Sequence, residues 1–568
     1  MYIMKFLRLF LVLSTSVIAQ TNYPKDYFRL PLDVPVQLSG NFGELRPNHF
    51  HTGFDFKTLQ REGLDVHAVA DGYVSRIKMS PYGNGKAIYI THPNGYTSVY
   101  CHLQNANAEI KDYIYKAYYK EEAYEVELFL KPHELPVRKG QVIAFSGNTG
   151  SSQGPHLHFE FRDSKTEKII NPLLFGFDSA IKDTKKPVVS ALYVYPVEDD
   201  VIINQSKRPL LLSLSLQKDG TYLATSVKAN GKIGFGITAA DYDNVSYNKN
   251  GVYKVQTYLN GSASFGYQLD TYSFDEMRYI NALIDYPKYR QNSQRVQKLF
   301  MKTPYPLSII KADKDNGVVD VLPNLASVYR IEVSDFFGNT TVITVPVNYD
   351  LTNPIVKREQ THSEYFVKAA KDNIFSKENF TVDIPAGTFY DDFEMDFDVK
   401  GKTLYMSDES IPVQSNFTIT IEDDSYTEAE KEKMYIADID SRGRAGYNYT
   451  WIKGNKFSAK VRSLGRYRLY SDTTTPSIAI TASIEGKWIS SQKTIQLRIS
   501  DSGSGIKSYN GYLNGKWVLF EYDYKTGKIT HDFSNGNVAE GANELRVVVE
   551  DKVGNTKTFE TRFFRSQQ

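Results

Sequence analysis

One cysteine, Cys101, stands among 568 residues. An exported chain with a lone thiol closes no internal disulfide, so its domains must be held by their apolar cores. Cys101 itself reads as a small buried core residue. An excess of charge is missing as well, since 67 Lys and Arg face 66 Asp and Glu for a net charge of +1. That balance supplies no field for nucleic acid or an anionic membrane. Long hydrophobic runs are absent beyond the N-terminus, and nothing there approaches the ~20 apolar residues of a spanning helix. No membrane span is expected. Residues 1–19 run from Lys5 and Arg8 through an apolar stretch to Val17-Ile18-Ala19 and read as a secretory signal peptide. With Gln20 rather than a cysteine directly after the expected cleavage site, a lipid anchor is not supported. The expected address is the periplasm, the cell envelope or the medium outside.

What the chain does have is aromatic residues, 41 Tyr and 32 Phe, in long runs that alternate with polar ones. Such alternation predicts half-buried strands, and the fold class expected is an all-β-dominated multidomain protein. Residues 28–178 form a first β unit punctuated by Asp71-Gly72, Gly83-Asn84-Gly85 and Asn94-Gly95 turns, with a helical insertion expected over 107–130. Beyond it, Asp183-Thr184-Lys185-Lys186-Pro187 recurs as Asp472-Thr473-Thr474-Thr475-Pro476, and both read as linkers. Tyr258-Leu259-Asn260-Gly261 recurs as Tyr512-Leu513-Asn514-Gly515, and Asp335-Phe336-Phe337-Gly338-Asn339 recurs in looser form as Asp551-Lys552-Val553-Gly554-Asn555. Three β-sandwich units are expected, at 183–350, 355–470 and 472–568, the first and last resembling bacterial immunoglobulin-like domains. The acidic run Glu422-Asp423-Asp424 lacks the spacing of a calcium loop and reads as solvated. Trp451, Trp488 and Trp517 read as sandwich core rather than binding platforms.

Eight of the ten histidines (49, 51, 67, 92, 102, 133, 156 and 158) precede residue 159. Chemistry, if any, is expected there. Across His49 to Phe56 the polar candidates fall at odd positions and the phenylalanines at even ones, the alternation of a strand that puts His51 and Asp55 on one face. His156, His158 and Glu160 share a face in the same way, against Leu157, Phe159 and Phe161. A third strand, Ser98 to Leu103, is expected to aim Tyr100 and His102 opposite Val99, Cys101 and Leu103. Two histidines and one carboxylate suffice to hold catalytic zinc with an open fourth position. No His-Glu-x-x-His helix motif is present, so a histidine beside the metal, such as His156, can serve as general base.

His51-x-x-x-Asp55, together with the run from Ser146 through Gly154-Pro155-His156-Leu157-His158-Phe159-Glu160, resembles the lysostaphin-type (LytM-like) zinc metallopeptidases over about 130 residues. The resemblance implies an antiparallel β domain that binds Zn2+ through His51, Asp55 and His158. It implies His156 as general base and His102, on the Tyr-x-His-Leu strand, as the group that stabilises the tetrahedral intermediate. The substrate it implies is the peptide cross-link of bacterial peptidoglycan. His49 reads as a neighbour behind the ligands or at the rim, His67 and His92 as structural, and Glu160 either as a partner of a ligand or as an exposed strand carboxylate. The glycine-rich loop 147–154 lacks the Lys-Ser/Thr of a phosphate cradle and reads as a tight connection that presents His156. Two alternatives stand beside the enzyme. One is a non-catalytic regulator of cell-wall hydrolases, whose mark would be a lost ligand. The other is a surface adhesin or carbohydrate-binding protein built on the β-sandwiches, which also offer a surface for a regulatory protein partner.

Overall fold

The computed structural model describes residues 23–357 and 363–566; the segment read as a signal peptide lies outside them. Strands dominate from end to end and helices are few, as the alternation predicts.

The first unit is built on β1 (Leu38–Gly40), β2 (Phe54–Lys57), β3 (Gly72–Met79), β4 (Lys86–Thr91), β5 (Tyr96–Cys101), α1 (Ala108–Glu121), β6 (Val126–Phe129) and β7 (His156–Asp163). Its strands hydrogen-bond antiparallel in the order β1-β2-β7-β5-β4-β3-β6. Long-range pairing thus places β7 between β2 and β5, which no local signal dictates. Phe54, Phe56, Leu157, Phe159 and Phe161 are almost wholly buried on one side, where the rings of Phe159 and Phe161 pack on Phe177 and Phe175. Gly53, just before β2, has no alternative: a Cβ there would lie 2.0 Å from the carbonyl oxygen of Phe159.

Two local expectations need correcting. Residues 49–56 are not one strand, because His49–Phe50 forms a short hairpin with Leu45–Arg46 and the chain leaves extended pairing before β2 begins at Phe54. The insertion is helical only to Glu121. Asn107 caps α1 by accepting from the Ile110 amide, Ile110, Ile114, Ala117 and Tyr118 form its buried stripe, and Glu122 ends it in the left-handed conformation. Val126–Phe129 then joins the sheet edge, paired with β3.

The second unit is not detached from the first. Thr271–Tyr272 pairs with Ile169–Ile170 and so extends the first unit's sheet, and a single apolar core runs through both. Residues 373–471 carry two five-stranded sheets around a separate core, and residues 477–565 two four-stranded sheets around another. The recurring Asn-Gly pairs make matching hairpin turns, with φ +49° and +85° at Asn260 and Gly261 and +52° and +78° at Asn514 and Gly515. The tryptophan expectation is not met as a sandwich-core role: Trp517 is buried, but with the core of the first unit, where it meets the ring of Tyr119 on α1. Trp451 is 39% and Trp488 64% exposed, so neither belongs to a core.

Candidate active site

Register across β2 and β7 sets His158 opposite Asp55, while His158 lies opposite Cys101 on β5. Phe159 faces Tyr100 in the same ladder, so Tyr100 belongs to the core side and Cys101 to the side of His158. The expected sides of β5 are therefore reversed. Strict alternation would then turn His102 into the core; instead it adopts φ +59°, a left-handed conformation that shifts the parity by one and brings its ring 4.8 Å from that of His156.

His51, Asp55 and His158 are brought together with one atom each at a common point. His51 Nε2 lies 3.0 Å and His158 Nδ1 2.9 Å from Asp55 Oδ1, and the two nitrogens are 3.1 Å apart. All three residues are over nine-tenths buried. Tetrahedral zinc ligands at ~2.1 Å would sit about 3.4 Å from one another, close to this spacing. Tautomers decide the matter further. His51 Nδ1 is 2.7 Å from the Asn41 carbonyl and donates to it, which leaves Nε2 a lone pair. His158 Nε2 donates to Glu160 Oε1 at 2.9 Å, which leaves Nδ1 a lone pair. Three lone-pair donors facing one another in a buried site repel unless a cation lies among them. The residues fit zinc on that ground.

Protonation follows the same logic. A proton on His158 is one such cation: burial opposes it, but hydrogen bonds to Asp55 and Glu160 outweigh burial and push the group up to about 9, and zinc would take that proton's place at Nδ1. Burial raises the Asp55 carboxyl, yet the charge of His51 and hydrogen bonds from His156, His158 and His51 hold it well below the usual range. His102 is pushed down to about 3 by burial and by the charges of His158 and His156. His102 Nδ1 donates to the Thr149 carbonyl at 2.9 Å and His156 Nδ1 to the Gly154 carbonyl at 2.8 Å, so each presents Nε2 to the site. The His156 Nε2 is 3.5 Å from Asp55 Oδ1.

Loop 147–154 carries these carbonyls. At Gly150, φ is +67° and a Cβ would come within 2.3 Å of the Gly83 carbonyl oxygen, so the loop closes tightly on the 83–85 turn. Glu160 is 1% exposed, which removes the exposed-carboxylate reading. Its Oε2 accepts from Arg162 Nε at 2.8 Å and Nη2 at 2.6 Å, and its Oε1 also accepts from Thr52 Oγ1. Three participants were not named from sequence: Thr52, Arg162, and Arg46, whose guanidinium lies 2.9 Å from Asp55 Oδ2. Arg162 could have been found, because it shares the strand face of His158 and Glu160 at i+2; Arg46 arrives through a separate hairpin and carries no such signal. His49 is exposed beside Pro47, whereas His67 and His92 are buried on backbone carbonyls away from the cluster.

Residues 49–119 and 121–172 match the model of Peptidase family M23. Residues 49–172 form an M23 domain. An uncharacterized metalloprotease of Haemophilus influenzae is 33% identical over 158 residues, 26% of this chain and 27% of the relative. The DD-carboxypeptidase/endopeptidase Mpg of Neisseria meningitidis serogroup B is 37% identical over 143 residues, 24% of this chain and 27% of the relative. A zinc-containing peptidase from Vibrio cholerae, among solved structures, is 29% identical with a TM-score of 0.18, over 24% of this chain and 36% of that one. The chain thus spans about a quarter of the length of the curated relatives it matches. Outside the M23 domain, residues 364–472 match the Zu5-like domain.

Proposed function

We propose that this chain is an exported zinc endopeptidase that hydrolyses the peptide cross-links of peptidoglycan, with His51, Asp55 and His158 as the metal ligands. The observation that carries the reading is the convergence of His51 Nε2, Asp55 Oδ1 and His158 Nδ1 with both imidazole tautomers fixed from behind. The names of relatives, which include a DD-carboxypeptidase/endopeptidase, a peptidoglycan DD-endopeptidase of Vibrio cholerae and lysostaphin, support the substrate. Among the described residues no helix is long and apolar enough to cross a membrane, and the reading of residues 1–19 supports export.

When bound, zinc supplies a Lewis acid for the scissile carbonyl and lowers the pKa of a water toward about 7. His156 accepts the proton of the attacking water at Nε2, its ring held by the Gly154 carbonyl and by Ser152 Oγ at 3.1 Å. His102 in its neutral form also offers a lone pair at Nε2, because Thr149 holds its Nδ1 proton. It stabilises a developing oxyanion only after taking up a proton at Nε2, which burial and the neighbouring histidine charges oppose. Burial of the ligand set limits competing water.

The test is zinc content with digestion of purified peptidoglycan by the mature wild type, His156→Ala and His158→Ala, reading the released muropeptides. One zinc per chain, with cross-link cleavage lost in both variants and zinc lost mainly in His158→Ala, is the expected result. A wild type that binds no zinc and releases no muropeptide, in the full chain and in residues 20–178 alike, defeats the reading.

A further inference from the structure

The recurring motifs that read as linkers converge in space, twice. Asp183, Asp241 and Asp335 of the second unit bring one carboxylate oxygen each to within 4.8 Å of one another, and Asp472, Asp501 and Asp551 of the last unit do the same. The correspondence extends to single atoms. Asn339 Nδ2 donates to Asp335 Oδ2 at 2.6 Å and lies 3.5 Å from the Asp183 carbonyl; Asn555 Nδ2 donates to Asp551 Oδ2 at 2.7 Å and to the Asp472 carbonyl at 2.9 Å. In each trio the middle aspartate keeps one buried oxygen without a partner, Oδ1 of Asp241 and Oδ1 of Asp501.

Acidic clusters alone say little, but here buried and unpartnered oxygens accompany them. Asp241 is 6% exposed, and the equally buried Asn250, joined to it by a β-bridge, also has an unpartnered Oδ1. Asp183, Asp241, Asp243 and Asn250 line one cavity of about 40 Å³, room for an ion with a water or two. In the last unit Ser504 Oγ, 2% exposed, is likewise buried without a partner, and its amide donates to Asp472 Oδ2. A buried acceptor without a partner loses its hydration uncompensated, and carboxylates gathered out of water repel one another besides. Lys185 does not neutralise the first trio directly, because its Nζ donates to the Asp243 carbonyl. Without a cation, burial and the charges of Asp183 and Asp335 push Asp241 up to about 7.

We infer that each trio holds a calcium ion, the first through Asp183, Asp241 and Asp335 with Asn250 Oδ1, the second through Asp472, Asp501 and Asp551. All-oxygen donors of this kind suit a hard cation with variable coordination, whereas a nitrogen-bearing set would favour zinc. Each ion clips a linker to its sandwich, since Asp183 lies in the segment before the strand that starts at Val188 and Asp472 in the one between the strands ending at Ser471 and starting at Ser477. The first cavity also touches Asn41, whose carbonyl fixes the tautomer of His51 and whose side chain pairs with Gly251. Neither site depends on the peptidase reading.

Equilibrium dialysis of the mature full chain against radioactive calcium ion, with one equivalent of zinc present, tests the inference. Two calcium ions per chain are expected, with dissociation constants in the ~10⁻⁴–10⁻³ M range of extracellular modules or tighter. Asp241→Asn and Asp501→Asn should each lose one ion, the double variant both, and the surface variant Asp219→Asn none, with circular dichroism confirming that each is folded. Calcium should also slow proteolysis of the 182–188 linker in the wild type and not in Asp241→Asn. Failure of the wild type to bind calcium at about 5 mM overturns the inference. Unchanged stoichiometry in Asp241→Asn overturns the first site, and in Asp501→Asn the second.

Discussion

Replacing Glu160 by glutamine isolates what a buried carboxylate behind the metal ligand contributes. The side chain keeps its shape but loses its charge and one of its two acceptor ends. Its Oε1 now accepts from His158 Nε2 and its Oε2 from two Arg162 nitrogens, so an amide must turn an N–H toward one donor or the other. If the amide nitrogen faces His158, the tautomer with a lone pair at Nδ1 is no longer held; if it faces Arg162, a buried cation loses its main anion. Losing such a partner of a ligating histidine costs about 10–100-fold in metal affinity, or roughly 1.4–2.7 kcal/mol. Breaking a buried ion pair costs up to about 3–5 kcal/mol, but Glu167 at 3.0 Å and the faces of Tyr89 and Phe274 still attend Arg162, so a smaller folding penalty is expected. Zinc affinity is read by competition with a chromophoric chelator on protein shown to be folded. Adding Arg162→Met removes the unpaired cation and should restore most of the stability, while zinc binding stays weaker than in the wild type. A Glu160→Gln protein that is folded and binds zinc within about twofold of the wild type would refute the idea that this carboxylate sets the tautomer of His158.

Burial holds His92 down to about 4, against about 6.5 when unfolded, so its contribution is fully present above pH 6.5 and is lost as pH falls through 4. Between pH 7 and 5 His92 should account for a loss of about 2 kcal/mol by denaturant titration, and His92→Gln should reduce the slope by that amount; parallel slopes would contradict the assignment. Lys525 Nζ donates to the carbonyls of Asn148, at 2.5 Å, and Ser152, at 3.1 Å, in the loop that presents His156. Lys525→Ala should therefore speed hydrogen exchange of the 147–154 amides by about tenfold, given ~1.5 kcal/mol for a charged hydrogen bond, without changing zinc content. Tyr272 donates its hydroxyl to the His51 carbonyl at 2.5 Å from the second unit, so Tyr272→Phe should cost about 1 kcal/mol in thermal unfolding while leaving the aromatic packing on Phe42 and Phe50 in place. No shift in its melting temperature would mean that this contact between the units carries no net stability.

Much of the site was legible because its signals are local. His156, Leu157, His158, Phe159 and Glu160 lie in one uninterrupted strand, and period-two alternation names their faces correctly. The β-rich character was equally open, since it rests on composition and on Asn-Gly turns whose positive φ the structure repeats at Asn260 and Asn514. Alternation failed where the backbone leaves the extended region. His102 was assigned to the groove from a parity that puts Tyr100 beside it, yet Tyr100 is wholly buried with its hydroxyl bonded to the Val69 amide. The left-handed turn at His102 supplies the compensating shift, and nothing in the residue type announces it.

The remaining omissions share one cause: they are made by pairs distant in sequence. Arg46 reaches Asp55 through a hairpin, Lys86 pairs with Glu521 at 2.8 Å, and the ring of Tyr82 meets that of Tyr524 at 5.0 Å. A buried lysine such as Lys86 and a solvated one look alike in a string of letters. The same holds for the paired aspartates, where repetition of Asp-x-x-Gly-Asn was visible but its meaning was not, because Asp241 and Asp501 join their trios from strand ends that no spacing relates to Asp335 or Asp551. A repeat in sequence shows that two segments were built alike; only the fold shows which atoms the repetition brings together, and here those atoms are carboxylate oxygens aimed at a shared point.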